Sequence, residues 1–129
     1  GERAVNADDL EPVVGANDIA DAAVAVNAVH LAPELRGYIV DLVTATRHHP
    51  DLLLGASPRG SLALQRASRA LAASFGRAFV IPDDIKRVLP AVLEHRLLLT
   101  PDAQLRGTSV SDVTRALLAS VPVAGAART

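Results

Sequence analysis

The 129 residues carry 13 Lys and Arg against 14 Asp and Glu, a formal net charge of -1 at pH 7, which argues against a protein whose main task is coating nucleic acid. The chain has no cysteine, so disulfides, thiolate metal sites and cysteine nucleophiles are excluded. Half of the residues are hydrophobic, yet Tyr38, Phe75 and Phe79 are the only aromatics, so any core must be aliphatic and rich in alanine. Alanine with leucine and arginine favours helix. Lys86 is the single lysine beside 12 arginines, which reads as genomic base composition more readily than as function. No apolar run reaches the roughly 18 residues needed to cross a bilayer and no signal peptide is visible, so a cytoplasmic protein without membrane insertion is expected. The chain begins Gly1-Glu2 and contains no methionine, which predicts a domain excised from a longer parent.

Residues 1–14 carry Asp8, Asp9, Glu11 and Pro12 with no clear period and read as an incoming linker. A first helix, capped by Asn17 or Asp18, is predicted to about Val29, with Ile19, Ala22, Ala23 and Val26 on one face. Pro33 suits the first position of a second helix, whose apolar face is Leu35, Tyr38, Ile39, Leu42 and Val43. His48-His49-Pro50 ends it. Leu52-Leu53-Leu54 then leads into the turn Gly55-Ala56-Ser57-Pro58-Arg59. The third helix places Leu64, Ala67, Leu71 and Phe75 on one stripe, with Gly76 as its stop. At 100° per residue, Arg59 and Arg66 fall within about 20° of each other and away from that stripe.

Phe79-Val80-Ile81 reads as a short extended link, and Pro82-Asp83-Asp84 opens a fourth helix with its acids where the dipole favours them. Ile85, Val88, Leu89 and Val92 form its seam, and Pro90 is expected to bend or split it. Residues 96–100 read as a short strand with 104–106 as its pairing partner. Ser109 and Asp112 have capping-box spacing before a fifth helix that turns Val113, Ala116 and Leu117 inward. A globular unit is thus expected over 15–121 and a disordered tail over 122–129, with no internal repeat.

Arg59 has two readings. Periodicity alone favours a solvated helix-face arginine. The other reading is a phosphate ligand, since guanidinium offers a planar donor fork that cannot lose its charge, and the proline before it fixes the direction of departure. The histidines do not make a metal site: His30 and His95 stand alone, and His48 and His49 are adjacent rather than at ligand spacing. The Asp83-Asp84 pair is better explained by the helix dipole than by carboxylate catalysis. No Gly-x-x-x-x-Gly-Lys-Ser/Thr loop and no strand ending in Asp-Glu occur, so this stretch alone is not expected to hydrolyse ATP.

The stretch GASPRGSLALQRASRALAASFGRAFVIPDDIKRVLPAVLEHRLLLTPDA resembles the C-terminal lid, or sensor-2, domain of the MoxR family of AAA+ ATPases. The resemblance covers roughly 15–121 and is densest from 54 to 102. It implies an all-α bundle of about five helices, with at most one very short β-hairpin, capping ATP bound to an α/β core. Arg59 would be the sensor-2 arginine that reaches the terminal phosphates during hydrolysis. Gly55, Ala56, Ser57 and Pro58 would set the turn beside ribose and phosphates, with Ser61 and Leu62 only packing nearby. Arg66 would either assist or pair with the core. The resemblance further implies ATP, with Mg²⁺ held by the core. Its implied partners are the chain's own AAA+ core, neighbouring subunits of a hexameric chaperone ring and a von Willebrand factor A domain protein, with no nucleic acid. The isolated piece is expected to be monomeric. Where the family carries a hydroxyl residue before the Pro-Asp-Asp start, this chain has Ile81, which weakens that cap.

Two other readings remain open. A free-standing helical protein-interaction or DNA-binding module is suggested by the histone-like look of 79–97, against which stand the scattered arginines. An oligomerisation domain using Leu97, Leu98 and Leu99 is the other.

Overall fold

The computed structural model describes residues 4–123. Four of its helices open with proline at their first position: α2 (Pro33–His48), α3 (Pro58–Ser74), α4 (Pro82–Leu93) and α5 (Pro101–Leu105). A proline there forfeits an N–H that would have no helical partner and presets the helical φ. The other two are α1 (Ala16–Ala28) and α6 (Val110–Ser120). The Ser109 hydroxyl accepts from the Asp112 N–H at 3.0 Å while the Asp112 carboxylate accepts from the Ser109 N–H at 2.9 Å, the capping box anticipated for α6. Six helices and one two-stranded sheet make up the regular structure of the described residues, an all-α bundle with a minimal β element.

The α2 face is the one expected, with Leu35, Tyr38, Ile39, Leu42 and Val43 buried. Ile85, Leu89 and Leu93 of α4 and Val113 and Leu117 of α6 complete the core, whereas Val88 and Val92 are half-buried and Ala116 is exposed. The α3 stripe is rotated from its expected position. Gly60, Leu64, Ser68 and Ala72 are buried, Ala67 and Leu71 are half-buried, and Phe75 is 55% exposed. The small residues of this i, i+4 row let α3 approach α4 closely: a methyl on Gly60 would lie 3.2 Å from both the Ala56 Cβ and a Leu93 methyl. Ser68 satisfies its hydroxyl on the Leu64 carbonyl at 2.7 Å. Phe75 instead has the guanidinium groups of Arg77 and Arg87 5.6 and 5.5 Å from its ring centre.

The first helix also departs from expectation. It begins at Ala16, and Asp18 accepts the Gly15 N–H at 2.7 Å rather than capping with its own start. None of its residues is buried, and Ile19 is 64% exposed. Residues Ala7–Asp9 form a 3-10 turn that is likewise exposed.

The strand expected at 96–100 is β2 (Leu98–Leu99), but its antiparallel partner is β1 (Leu52–Leu54), with Leu52 opposite Leu99 and Leu54 opposite Leu98. Residues 104–106 finish and cap α5 instead, because Pro101 and the Thr100 hydroxyl, which accepts the Ala103 N–H at 3.1 Å, start a helix there. The Arg106 guanidinium then reaches Asp51 at 2.5 Å. The extended link after α3 is realised as a single parallel bridge. The His30 N–H donates to the Ala78 carbonyl at 2.8 Å and the Val80 N–H to the His30 carbonyl at 2.9 Å.

Pro90 does not split α4, which runs on to Leu93 and tightens into a 3-10 turn over Glu94–Arg96. Ile81 supplies no side-chain cap, but Asp84 accepts the Ile81 N–H at 2.8 Å and binds Arg77 with both oxygens at 2.6 and 2.5 Å. The Arg77 guanidinium, more than any other group, holds the Asp84 carboxyl below its ordinary pKa. Beyond Val123, the anticipated tail lies outside the described residues. No helix of the described residues is long and apolar enough to cross a membrane.

Candidate functional site

The turn over residues 55–59 is built against the last turn of α2. Gly55 lies so close to it that a Cβ would sit 2.6 Å from the backbone of Thr46 and Arg47. Its φ is not positive, so space alone demands glycine. Both backbone polar groups of Ala56 are then taken by consecutive α2 residues. The Ala56 N–H donates to the Thr46 hydroxyl at 2.9 Å, and the Arg47 guanidinium donates to the Ala56 carbonyl at 3.1 Å. Thr46, 1% exposed, passes its own proton to the Val43 carbonyl at 2.6 Å. Ala56 is itself buried under the first turn of α3, so its methyl packs inward and only its backbone shapes the surface.

Above this bracket, Ser57 is the N-cap of α3, exposed and with its hydroxyl not used for capping. Its carbonyl accepts the Gly60 N–H at 2.8 Å. Pro58 takes the first helical position, and Arg59 follows in the first turn. Arg59 is exposed and makes no hydrogen bond or ion pair among the described residues; the same holds for Arg66, two helical turns further along the same face. The structure thus gathers Gly55, Ser57, Pro58 and Arg59 at one helix start, directs Ala56 away, and leaves Arg66 alongside.

The electrostatics of this start are unusual within the fold. α1, α2, α4, α5 and α6 each carry an acid in their first turn: Asp18, Glu34, Asp83 with Asp84, Asp102 and Asp112. α3 has none, and places Arg59 there. A cation at the positive end of a helix is unfavourable unless an anion joins it.

Thr46 and Arg47 were not singled out by sequence reasoning. Their signal was present, since Thr46 continues the buried α2 series Tyr38, Ile39, Leu42, Val43 as its one polar member. Two open clefts lie away from the turn. One, of about 310 Å³, lies between Pro90, Glu94, Thr114 and Leu118; the other, of about 290 Å³, lies beside Ala25, Val29 and Ala73. Ser57, Pro58 and Arg59 are exposed, so the turn is open surface. Among the described residues, no group of three or more His, Cys, Asp or Glu side chains could hold a metal ion. His49 instead accepts the Asp51 N–H on its Nδ1 at 3.1 Å.

Residues 44–117 match the AAA lid domain family. YeaC of Bacillus subtilis (strain 168) is 40% identical over 114 residues, covering 88% of this chain and 36% of its own length. The chaperone MoxR1 of Mycobacterium tuberculosis is 46% identical over 86 residues, or 60% of this chain and 22% of that protein. A solved structure from Cytophaga hutchinsonii, described as that of a candidate ATPase, superposes with a TM-score of 0.80 at 32% identity, over 83% of this chain and 35% of its own. The chain thus spans roughly a third or less of the proteins it matches. It belongs to the AAA lid domain family, as a lid of the MoxR type.

Proposed function

We propose that the chain caps ATP held by an adjoining AAA+ core and presents Arg59 to the terminal phosphates as they are hydrolysed. The observation that carries this reading is the charge reversal at the start of α3: an unpaired guanidinium stands where every other helix of the described residues has a carboxylate. A phosphate oxygen would complement both the guanidinium and the helix end, and the exposed Ser57 hydroxyl adds a donor beside them. A donor set of this kind suits an anion and not Mg²⁺, which requires oxygen ligands, so the metal would be held by the core. Bound there, ATP and Mg²⁺ supply the transferable phosphoryl group and neutralise its charge. Arg66 would lie beside the nucleotide or pair with the core.

The wider reading is that the lid moves with the nucleotide state of a ring of such subunits, in a chaperone-like machine. MoxR1 carries the name chaperone, which supports that reading. The test is Arg59→Ala in the full-length protein, with ATP turnover as the readout. Loss of a donor aimed at developing charge is expected to lower kcat by about 30-fold or more. Turnover within about twofold of the parent, at a precision that resolves such a change, refutes the sensor role.

A further inference from the structure

We propose that Thr46 and Arg47 are positioning residues for Arg59, aiming it through the single peptide unit they share, that of Ala56. The inference rests on the phosphate-contacting role proposed for Arg59. Only Ser57 and Pro58 separate Ala56 from Arg59 in the chain, so the direction of the arginine is set over that short span. Ser57 and Pro58 are held by α3 itself, because Pro58 has a ring-fixed φ and Ser57 is bonded to Gly60. Packing of Gly60 and Leu64 on α4 holds the buried side of the helix start, and its exposed end at Ser57 and Arg59 can still shift about Ala56. α2 removes that freedom from both sides, with the Thr46 hydroxyl on the N–H at 2.9 Å and the Arg47 guanidinium on the carbonyl at 3.1 Å.

The chemistry of the bracket is specific. A hydroxyl can accept from Ala56 and donate to Val43 at once, so at position 46 only Ser or Thr completes the relay. Arg47 is exposed and spends its fork on neutral acceptors, the Ala56 carbonyl at 3.1 Å and the Thr44 hydroxyl at 3.4 Å, with no carboxylate partner among the described residues. A guanidinium used in this way fixes backbone geometry. The close pass of Gly55 over Thr46 and Arg47 brings the two segments near enough for both bonds to form.

The experiment is steady-state ATP hydrolysis by the full-length protein carrying Thr46→Val, Thr46→Ser, Arg47→Met and Arg59→Ala, and Thr46→Val combined with Arg59→Ala. A misplacement approaching 1 Å at a catalytic group costs up to about 100-fold, so Thr46→Val and Arg47→Met are expected to lower kcat by about tenfold. KM for ATP should move by less than about threefold, because bound ground-state ATP keeps its core contacts. Thr46→Ser keeps the relay and should stay within about twofold of the parent. The decisive arm is the double variant: once Arg59 is gone there is nothing to aim, so Thr46→Val should cost less than about twofold more.

If Thr46→Val multiplies fully with Arg59→Ala, or if Arg47→Met and Thr46→Val keep full turnover while Arg59→Ala does not, the positioning role is refuted. Should Arg59→Ala itself leave turnover intact, it is the phosphate-contacting role that fails, and this inference with it. Arg47 is exposed and its methionine replacement leaves the core untouched, so that variant keeps the test open even if Thr46→Val folds poorly.

Discussion

Gly55→Ala tests the packing of the site without any ligand. A Cβ at Gly55 would stand 2.6 Å from Thr46 C and O and from Arg47 N, all backbone atoms that cannot rotate away. Real contacts of this kind begin at 3.0 Å and are ordinary from 3.4 Å, so the turn must retreat by the difference, up to 0.8 Å. Added to the 2.9 Å bond from the Ala56 N–H to Thr46, that retreat stretches it to as much as about 3.7 Å, weakening it or carrying it beyond hydrogen-bonding range. Overpacking costs about 1–3 kcal/mol, and a buried donor left unpaired costs about 1–3 kcal/mol more. A loss of about 3 kcal/mol lowers the melting temperature of a chain this size by about 12 °C. Gly37→Ala is the matched control: Gly37 is exposed within α2, and a Cβ there meets nothing within 4 Å. Relief of the glycine penalty should raise stability by about 0.5–1 kcal/mol. Thermal melts by circular dichroism of the two variants should therefore move in opposite directions. A Gly55→Ala protein melting within about 3 °C of the parent, less than 1 kcal/mol at this size, would refute the close approach.

The rotated α3 stripe predicts that Leu64→Ala costs about 2–5 kcal/mol, whereas Phe75→Ala costs about 1 kcal/mol, mostly its two exposed cation–π contacts; denaturant melts giving the reverse order would restore the stripe read from periodicity. Asp84→Asn keeps an acceptor for Ile81 but loses the ion pair with Arg77, at about 1–3 kcal/mol near neutral pH. Because Asp84 titrates below the ordinary carboxyl value of about 3.9, its stabilisation is complete above that value. It is lost as pH falls through the lowered native pKa, since the unfolded chain binds the proton first. Melting temperatures from pH 7 down to about 2.5 should fall more steeply for the parent than for Asp84→Asn, and parallel curves would show that Asp84 is not the group responsible.

Much of the fold was legible because several signals are local. Proline at the first position marks α2, α3 and α4, and the Ser109–Asp112 box marks α6, whereas the same signal at Pro101 was passed over and α5 was read as part of a strand pair. What misled were features decided by neighbours. Periodicity favoured the largest apolar residues of α3, yet helix–helix approach selected the smallest, so Gly60, Ser68 and Ala72 went inward and Phe75 outward. The strand at Leu98–Leu99 was visible, but its pairing with Leu52–Leu54 joins segments more than 40 residues apart, which no local pattern encodes. α1 has the spacing of an amphipathic helix and buries none of it, since periodicity reports a face without reporting what covers it.

For the site, the turn and Arg59 were readable because Gly55, Pro58 and Arg59 are consecutive punctuation and charge. The bracket was not, because Thr46 and Arg47 act from another helix. Their effect is nonetheless what leaves the charge reversal at α3 uncompensated within the chain. An arginine at the positive end of a helix is repelled outward, and a loose turn would let it fold back onto a nearby carboxylate or carbonyl. Arg77, Arg106 and Arg115 have each found such a carboxylate in this structure. Arg59 has not, although Asp51 lies eight residues away in sequence and is taken by Arg106. Holding Ala56 by both its polar groups keeps the helix start pointed away from these competitors. The cost of that isolation falls on the folded chain, and an anion brought by a partner would offset it.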